Sequence, residues 1–120
     1  MELEKELAGD VLVFRVKEER LNGTVAPDLK AELLVAVKNG HHKILVDLSE
    51  VTYADSSGLG ALLFGQRQAR SEGGALKVYG ASGRIANLIR IARLESVLEN
   101  YDDWQEALRS FEAGDDSNGD

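Results

Sequence analysis

Ile44-Leu45-Val46-Asp47-Leu48-Ser49, leading through Glu50-Val51-Thr52-Tyr53-Ala54 to Asp55-Ser56-Ser57-Gly58-Leu59-Gly60, is the stretch that decides the fold. Ile44-Leu45-Val46 is continuously apolar rather than alternating. With a helical pattern on either side, it reads as a central strand buried on both faces. Gly58 and Leu59 open the next helical pattern. That helix is predicted to begin near Ser57 and to end before Gly73-Gly74, with Leu59, Leu62, Leu63 and Ala69 on its buried face.

Towards the amino terminus, Leu29, Leu33, Ala36 and Val37 recur at helical spacing, and Gly40 follows as a stop. Pro27 suits a first turn, where its missing N–H has no partner in any case. This predicts a helix over about 26–39. Before it, Leu3 to Leu7 alternates apolar and charged residues, Ala8-Gly9-Asp10 supplies a turn, and Val11 to Val16 is rich in β-branched residues. Together they predict an opening hairpin, with Leu12, Phe14 and Val16 on one face because strand side chains alternate.

Towards the carboxyl terminus, Ala75 to Tyr79 reads as a strand, and Ile85, Leu88, Ile89 and Ala92 mark one stripe of a third helix. A short strand is expected around Val97-Leu98. Asp102 with Gln105 three residues on resembles a capping box for a last helix carrying Trp104, Ala107 and Leu108. Strands alternating with helices after a hairpin define an α/β domain, one mixed β-sheet with helices packed on it. The domain is expected over 1–111. Residues 112–120, acidic and without periodicity, are expected to form a disordered tail.

The 120 residues suit one domain, and a hydrophobic share of 43% supplies a core. There is no cysteine, so neither disulfides nor thiolate metal sites are available. The charged start Met1-Glu2-Leu3-Glu4-Lys5-Glu6 is unlike a secretory signal, and no apolar run spans a bilayer. The expectation is a cytoplasmic protein. A net charge of −7 disfavours nucleic acid and anionic membrane as partners. Arg84, Arg90 and Arg93 form one basic cluster, read as a solvated helix face.

Chemistry concentrates at Asp55-Ser56-Ser57-Gly58-Leu59-Gly60, at the entrance to the second helix. First-turn N–H groups lack partners within a helix, and the dipole favours negative charge there. Gly58 and Gly60 leave room for the approach of another molecule. Simple helix capping by Asp and Ser accounts for the same residues. A phosphate loop needs a lysine that is missing, and a dinucleotide fingerprint needs glycine where Leu63 stands. A nucleophile elbow needs glycine at Ala54.

His41 and His42 precede the central strand, so about five residues at roughly 3.3 Å each separate them from its far end. A base for a hydrolytic Ser56 is therefore not in place. Two adjacent histidines without a third ligand do not make a metal site. No cofactor and no catalytic activity are expected.

The run from Asp47-Leu48-Ser49 to Asp55-Ser56-Ser57-Gly58-Leu59-Gly60 resembles the signature of the STAS domain family, and most closely its single-domain bacterial anti-sigma factor antagonists. The likeness extends over the amino-terminal strands, Leu21 to Leu34, and Gly80 to Leu108. It implies that Ser56 is phosphorylated by a partner anti-sigma factor with a GHKL-type serine kinase fold. Unphosphorylated antagonist would hold that kinase and free the sigma factor, and a PP2C-type phosphatase would restore the state. Asp55, Ser56, Ser57, Gly58, Leu59, Gly60 and Asn22 would meet the partner. Many members carry an aspartate at the position where Arg20-Leu21-Asn22 places Asn22. A runner-up keeps the fold and makes the chain a scaffold or transporter-associated subunit, for example of a lipid ABC transporter, acting without phosphorylation.

Overall fold

The computed structural model describes residues 1–117. Its elements are β1 (Leu3–Ala8), β2 (Val11–Val16), β3 (Arg20–Leu21), α1 (Ala26–Lys38), β4 (Lys43–Asp47), β5 (Tyr53–Ala54), α2 (Ser56–Ser71), β6 (Ala75–Tyr79), α3 (Gly83–Ile91), β7 (Asn100–Tyr101) and α4 (Trp104–Ser117). The main sheet has the order β1-β2-β4-β6-β7. The β1–β2 hairpin is antiparallel, and every later pairing in this sheet is parallel. The expected mixed sheet is thus present, with β4 near its centre.

Side-chain alternation sorts the core into two layers. Leu12, Phe14 and Val16 from β2 join Ile44 and Val46 from β4 and Leu76 and Val78 from β6 on one face, under α1, α2 and α3. Leu45 points the other way, with Val11, and meets Ala107 and Phe111 of α4. Ile44, Leu45 and Val46 are all fully buried, which is why this run carries no polar alternation. Arg15 lies 5.5 Å from the Trp104 ring centre, and Tyr79 meets the same ring edge-on at 5.0 Å. These contacts pin the start of α4 to the sheet.

On α2, Leu59, Leu62 and Ala69 are buried as expected, whereas Leu63 is half-buried. The deepest positions are shared with Ala61 and Gly65, because α1 crosses α2 closely. A Cβ on Gly65 would stand 2.7 Å from both Leu33 and Leu76. Gln66, also buried, donates to the Val97 carbonyl at 3.0 Å and accepts from the Leu76 N–H at 2.6 Å. It ties α2 to the strand beneath and to the loop that follows α3.

Three expectations are corrected. The last strand is Asn100–Tyr101 rather than Val97-Leu98. Leu98 plugs the core at 1% exposure while its N–H closes a turn onto the Leu94 carbonyl, so sheet pairing starts only at Glu99. The α4 cap is Asp103, which accepts from the Glu106 N–H at 2.9 Å, and not Asp102. Ala92 lies just beyond α3 and is exposed. The last helix, α4, spans Trp104–Ser117. Residues 118–120 of the expected tail lie outside the described residues.

Candidate functional site

β3 and β5, two residues each, were not legible as strands, yet they build the platform of the site. They pair in parallel as Arg20↔Tyr53 and Leu21↔Ala54, in a sheet of their own. The Glu19 carbonyl accepts from the N–H groups of Thr52 and Tyr53, and the Leu21 carbonyl accepts from Asp55 N–H at 3.3 Å. The Arg20 guanidinium lies 5.2 Å from the Tyr53 ring centre, closing the edge of this ribbon. The β4–β5 loop is tied down at its start. Asp47, itself buried, accepts from Ser49 N–H at 2.9 Å, and Leu48 N–H donates to the Tyr79 carbonyl.

From this platform the chain turns directly into α2. Asp55 is the N-cap, with extended backbone, and its Oδ1 accepts from Gly58 N–H at 3.1 Å. Its carbonyl takes the Leu59 N–H. Ser56 is the first helical residue, and Ser56, Ser57 and Gly60 are exposed while Gly58 and Leu59 are buried. The capping role read from the sequence is therefore real, and it belongs to Asp55. Ser56 is left with a solvent-facing hydroxyl on a helix start whose position is fixed from below.

Gly58 and Leu59, expected among the residues that meet a partner, are buried in the chain itself. A Cβ on Gly58 would lie 2.2 Å from the Leu21 carbonyl oxygen, so this glycine serves the close approach of α2 to β3. Leu59 joins the helical core layer. Gly60, by contrast, has nothing within 4 Å of an added Cβ and stays open to an approaching surface.

Asn22 stands directly after β3. Its Oδ1 accepts from Thr24 N–H at 3.1 Å, and its carbonyl accepts from Val25 and Ala26 N–H, so it shapes the loop that starts α1. That loop adjoins the serines: a Cβ on Gly23 would be 3.5 Å from Ser57 Oγ. Between the first turns of α1 and α2 lies an open groove of about 320 Å³ that includes Lys30, Ser57 and Gly60. Lys30 and Gly23 had no local signal in the sequence, because only the packing of α1 on α2 brings them to the serines.

His41 and His42 lie before β4, whereas Ser56 follows β5 beyond the other end of β4. His42 instead sits 3.9 Å from Glu72 at the end of α2. Among the described residues there is no group of three or more His, Asp or Glu able to hold a metal ion. No helix among them is long and apolar enough to cross a membrane.

The first test of this geometry is the cap. Replacing Asp55 by Ala leaves the Gly58 N–H without its acceptor and is expected to cost about 1 kcal/mol, with Asn restoring most of it. Urea denaturation of the three proteins measures this. Equal stability of Ala and wild type would remove Asp55 from the cap role.

Comparison with known proteins places the chain in a family. The anti-sigma-B factor antagonist of Listeria monocytogenes is 34% identical over 80 residues, covering 66% of this chain and 69% of that protein. Among solved structures, the Bacillus cell fate determinant SpoIIAA in its phosphorylated form has the same fold, with a TM-score of 0.70 at 17% identity over 91% of this chain and 99% of that one. A sulfate transporter family protein from Wolinella succinogenes shares it too, with a TM-score of 0.74 at 21% identity over 93% of each chain. Residues 6–99 match the family model described as "Mlab, STAS domain", and the chain belongs to the STAS domain family.

Proposed function

We propose that this chain is an anti-sigma factor antagonist that binds a serine-kinase anti-sigma factor when unphosphorylated and is released by phosphorylation of Ser56. The observation that carries this reading is the exposed Ser56 hydroxyl at the first position of α2, on a start fixed by Asp55 and the β3–β5 ribbon. The relative named as an anti-sigma-B factor antagonist supports the class of partner. The antagonist acts by binding and not by catalysis, in the cytoplasm, and a PP2C-type phosphatase resets it. Regulation of transcription follows indirectly, through the sigma factor that the kinase would otherwise hold.

A phosphoryl group adds about −1.5 to −2 charges, and at a helix N-terminus this is tolerated by the domain itself. The effect then falls on the partner, whose surface must bury that charge next to Asp55 without a matching cation. The fold shared with a sulfate transporter family protein favours one second reading, a transporter-associated subunit using the same surface without phosphorylation.

Affinity capture from the native cell with wild-type and Ser56→Asp proteins, followed by phosphosite mapping, separates the two. The switch predicts a GHKL-type kinase on wild type alone and phosphate on Ser56. Transporter subunits recovered equally by both proteins would establish the second reading, and phosphate on another residue would move the site.

A further inference from the structure

The groove between α1 and α2 is lined by small residues, Gly23, Ala26, Gly60 and Ala61 among them, with Lys30 on one side and the Ser57 hydroxyl on the other. Its volume of about 320 Å³ is ample for a side chain. Lys30 differs from most lysines of this acidic chain. Lys5, Lys17, Lys43 and Lys77 are each paired with a carboxylate. Among the described residues Lys30 forms no ion pair, and its ammonium lies 5.1 Å from the Phe64 ring centre. An aromatic face attracts a cation without neutralising it, so the charge remains available to an incoming anion.

The groove is continuous with the Ser56 surface, since Ser57 and Gly60 belong to the same turns of α2. Resting on the partner-binding reading above, we propose that Lys30 is a specificity-determining residue. An acidic side chain of the anti-sigma factor enters this groove, its carboxylate pairs with the Lys30 ammonium, and the Ser57 hydroxyl donates to the same carboxylate. A chain of net charge −7 repels acidic partners in general. One free cation in a fitted groove admits a partner whose acid is correctly placed and leaves the repulsion in force against others. Ser57 thereby acquires a role distinct from that of Ser56: it helps to read the partner, while Ser56 takes the phosphate.

The test uses the full chain and, as probe, the serine kinase recovered by wild type in the capture experiment, purified. Lys30→Gln is expected to weaken binding about tenfold and Lys30→Glu about a hundredfold, because like charges facing one another add repulsion to the lost pair. Lys38→Gln, a change at the far end of α1, should bind as wild type does. Circular dichroism and melting of each variant verify the fold. A carbodiimide, which joins an amine to a carboxylate in contact, should link Lys30 to an Asp or Glu of the kinase. Wild-type-like binding by Lys30→Glu, or a link formed only elsewhere, would overturn the Lys30 assignment and leave the switch standing. Failure of wild type to recover or bind any such kinase would overturn the switch, and the assignment with it.

Discussion

Gly58→Ala is expected to lower the unfolding free energy by about 3 kcal/mol, the upper end of what overpacking costs. The added methyl would stand 2.2 Å from the Leu21 carbonyl oxygen and 2.8 Å from Leu21 Cγ. The first obstacle is backbone, and Leu21 is fully buried, so no side-chain rotation relieves the clash. Either α2 lifts from β3, or β3 moves and loses its pairing with β5. The Leu21 carbonyl also accepts from Asp55 N–H, so a displaced β3 disturbs the cap of the helix as well. Gly60→Ala is the matched control. Its Cβ meets nothing within 4 Å, and alanine is the better helix former, so it should stabilise by about 0.5–1 kcal/mol. Urea denaturation with unchanged m-values compares the two. Equal stability of both variants would contradict the close α2–β3 contact.

The contrast between these two glycines marks where sequence reading stopped. Both occur in Asp55-Ser56-Ser57-Gly58-Leu59-Gly60, and both read as space for a visiting molecule. Only Gly60 has that character; Gly58 is occupied by the protein's own β3. The difference depends on a two-residue strand with no apolar periodicity, and no local pattern announces such a strand. The longer elements were legible for the opposite reason. Ile44-Leu45-Val46 is apolar on successive residues because both faces of β4 are covered, and Leu29, Leu33, Ala36 and Val37 recur every three or four residues because α1 has one buried side.

The misplaced last strand follows the same logic. Val97-Leu98 looked like a strand because it is apolar, but Leu98 fills a core position from a turn. The ladder is made instead by Asn100 and Tyr101, a two-residue strand too short to show an alternation. In the site, adjacent residues could be read and distant ones could not. Asp55 as a cap was visible from its type and place before a helix. The meeting of Gly23 and Lys30 with Ser57 depends on how two helices cross, which is a property of the packed core.

Phosphorylation of Ser56 is expected to weaken binding of the kinase by about a hundredfold or more while leaving the domain folded. The two halves of this prediction have one electrostatic origin. Within the domain, the phosphate sits at the first residue of a sixteen-residue helix. The dipole there favours negative charge, by about 0.3–1 kcal/mol at an exposed site. The melting temperature of the phosphoprotein should therefore equal or slightly exceed that of the unmodified protein, with unchanged helix content. At the interface the same charge adds to Asp55, whose carboxylate is held at the adjacent position by Gly58 N–H. A partner shaped for a neutral hydroxyl must desolvate both. The repulsive part of this penalty is screened by added salt while the desolvation part is not, so the affinity ratio between the two forms should narrow, without vanishing, as ionic strength rises. Ser56→Ala should bind and resist release, since it keeps the neutral surface without the acceptor. Calorimetric titration of the kinase with each form, at low and high salt, measures the ratio. Equal affinity for both forms would remove the switch. Loss of helix on phosphorylation would replace a surface effect with unfolding, and a ratio indifferent to salt would remove repulsion as a contributor and leave desolvation or steric exclusion of the phosphate.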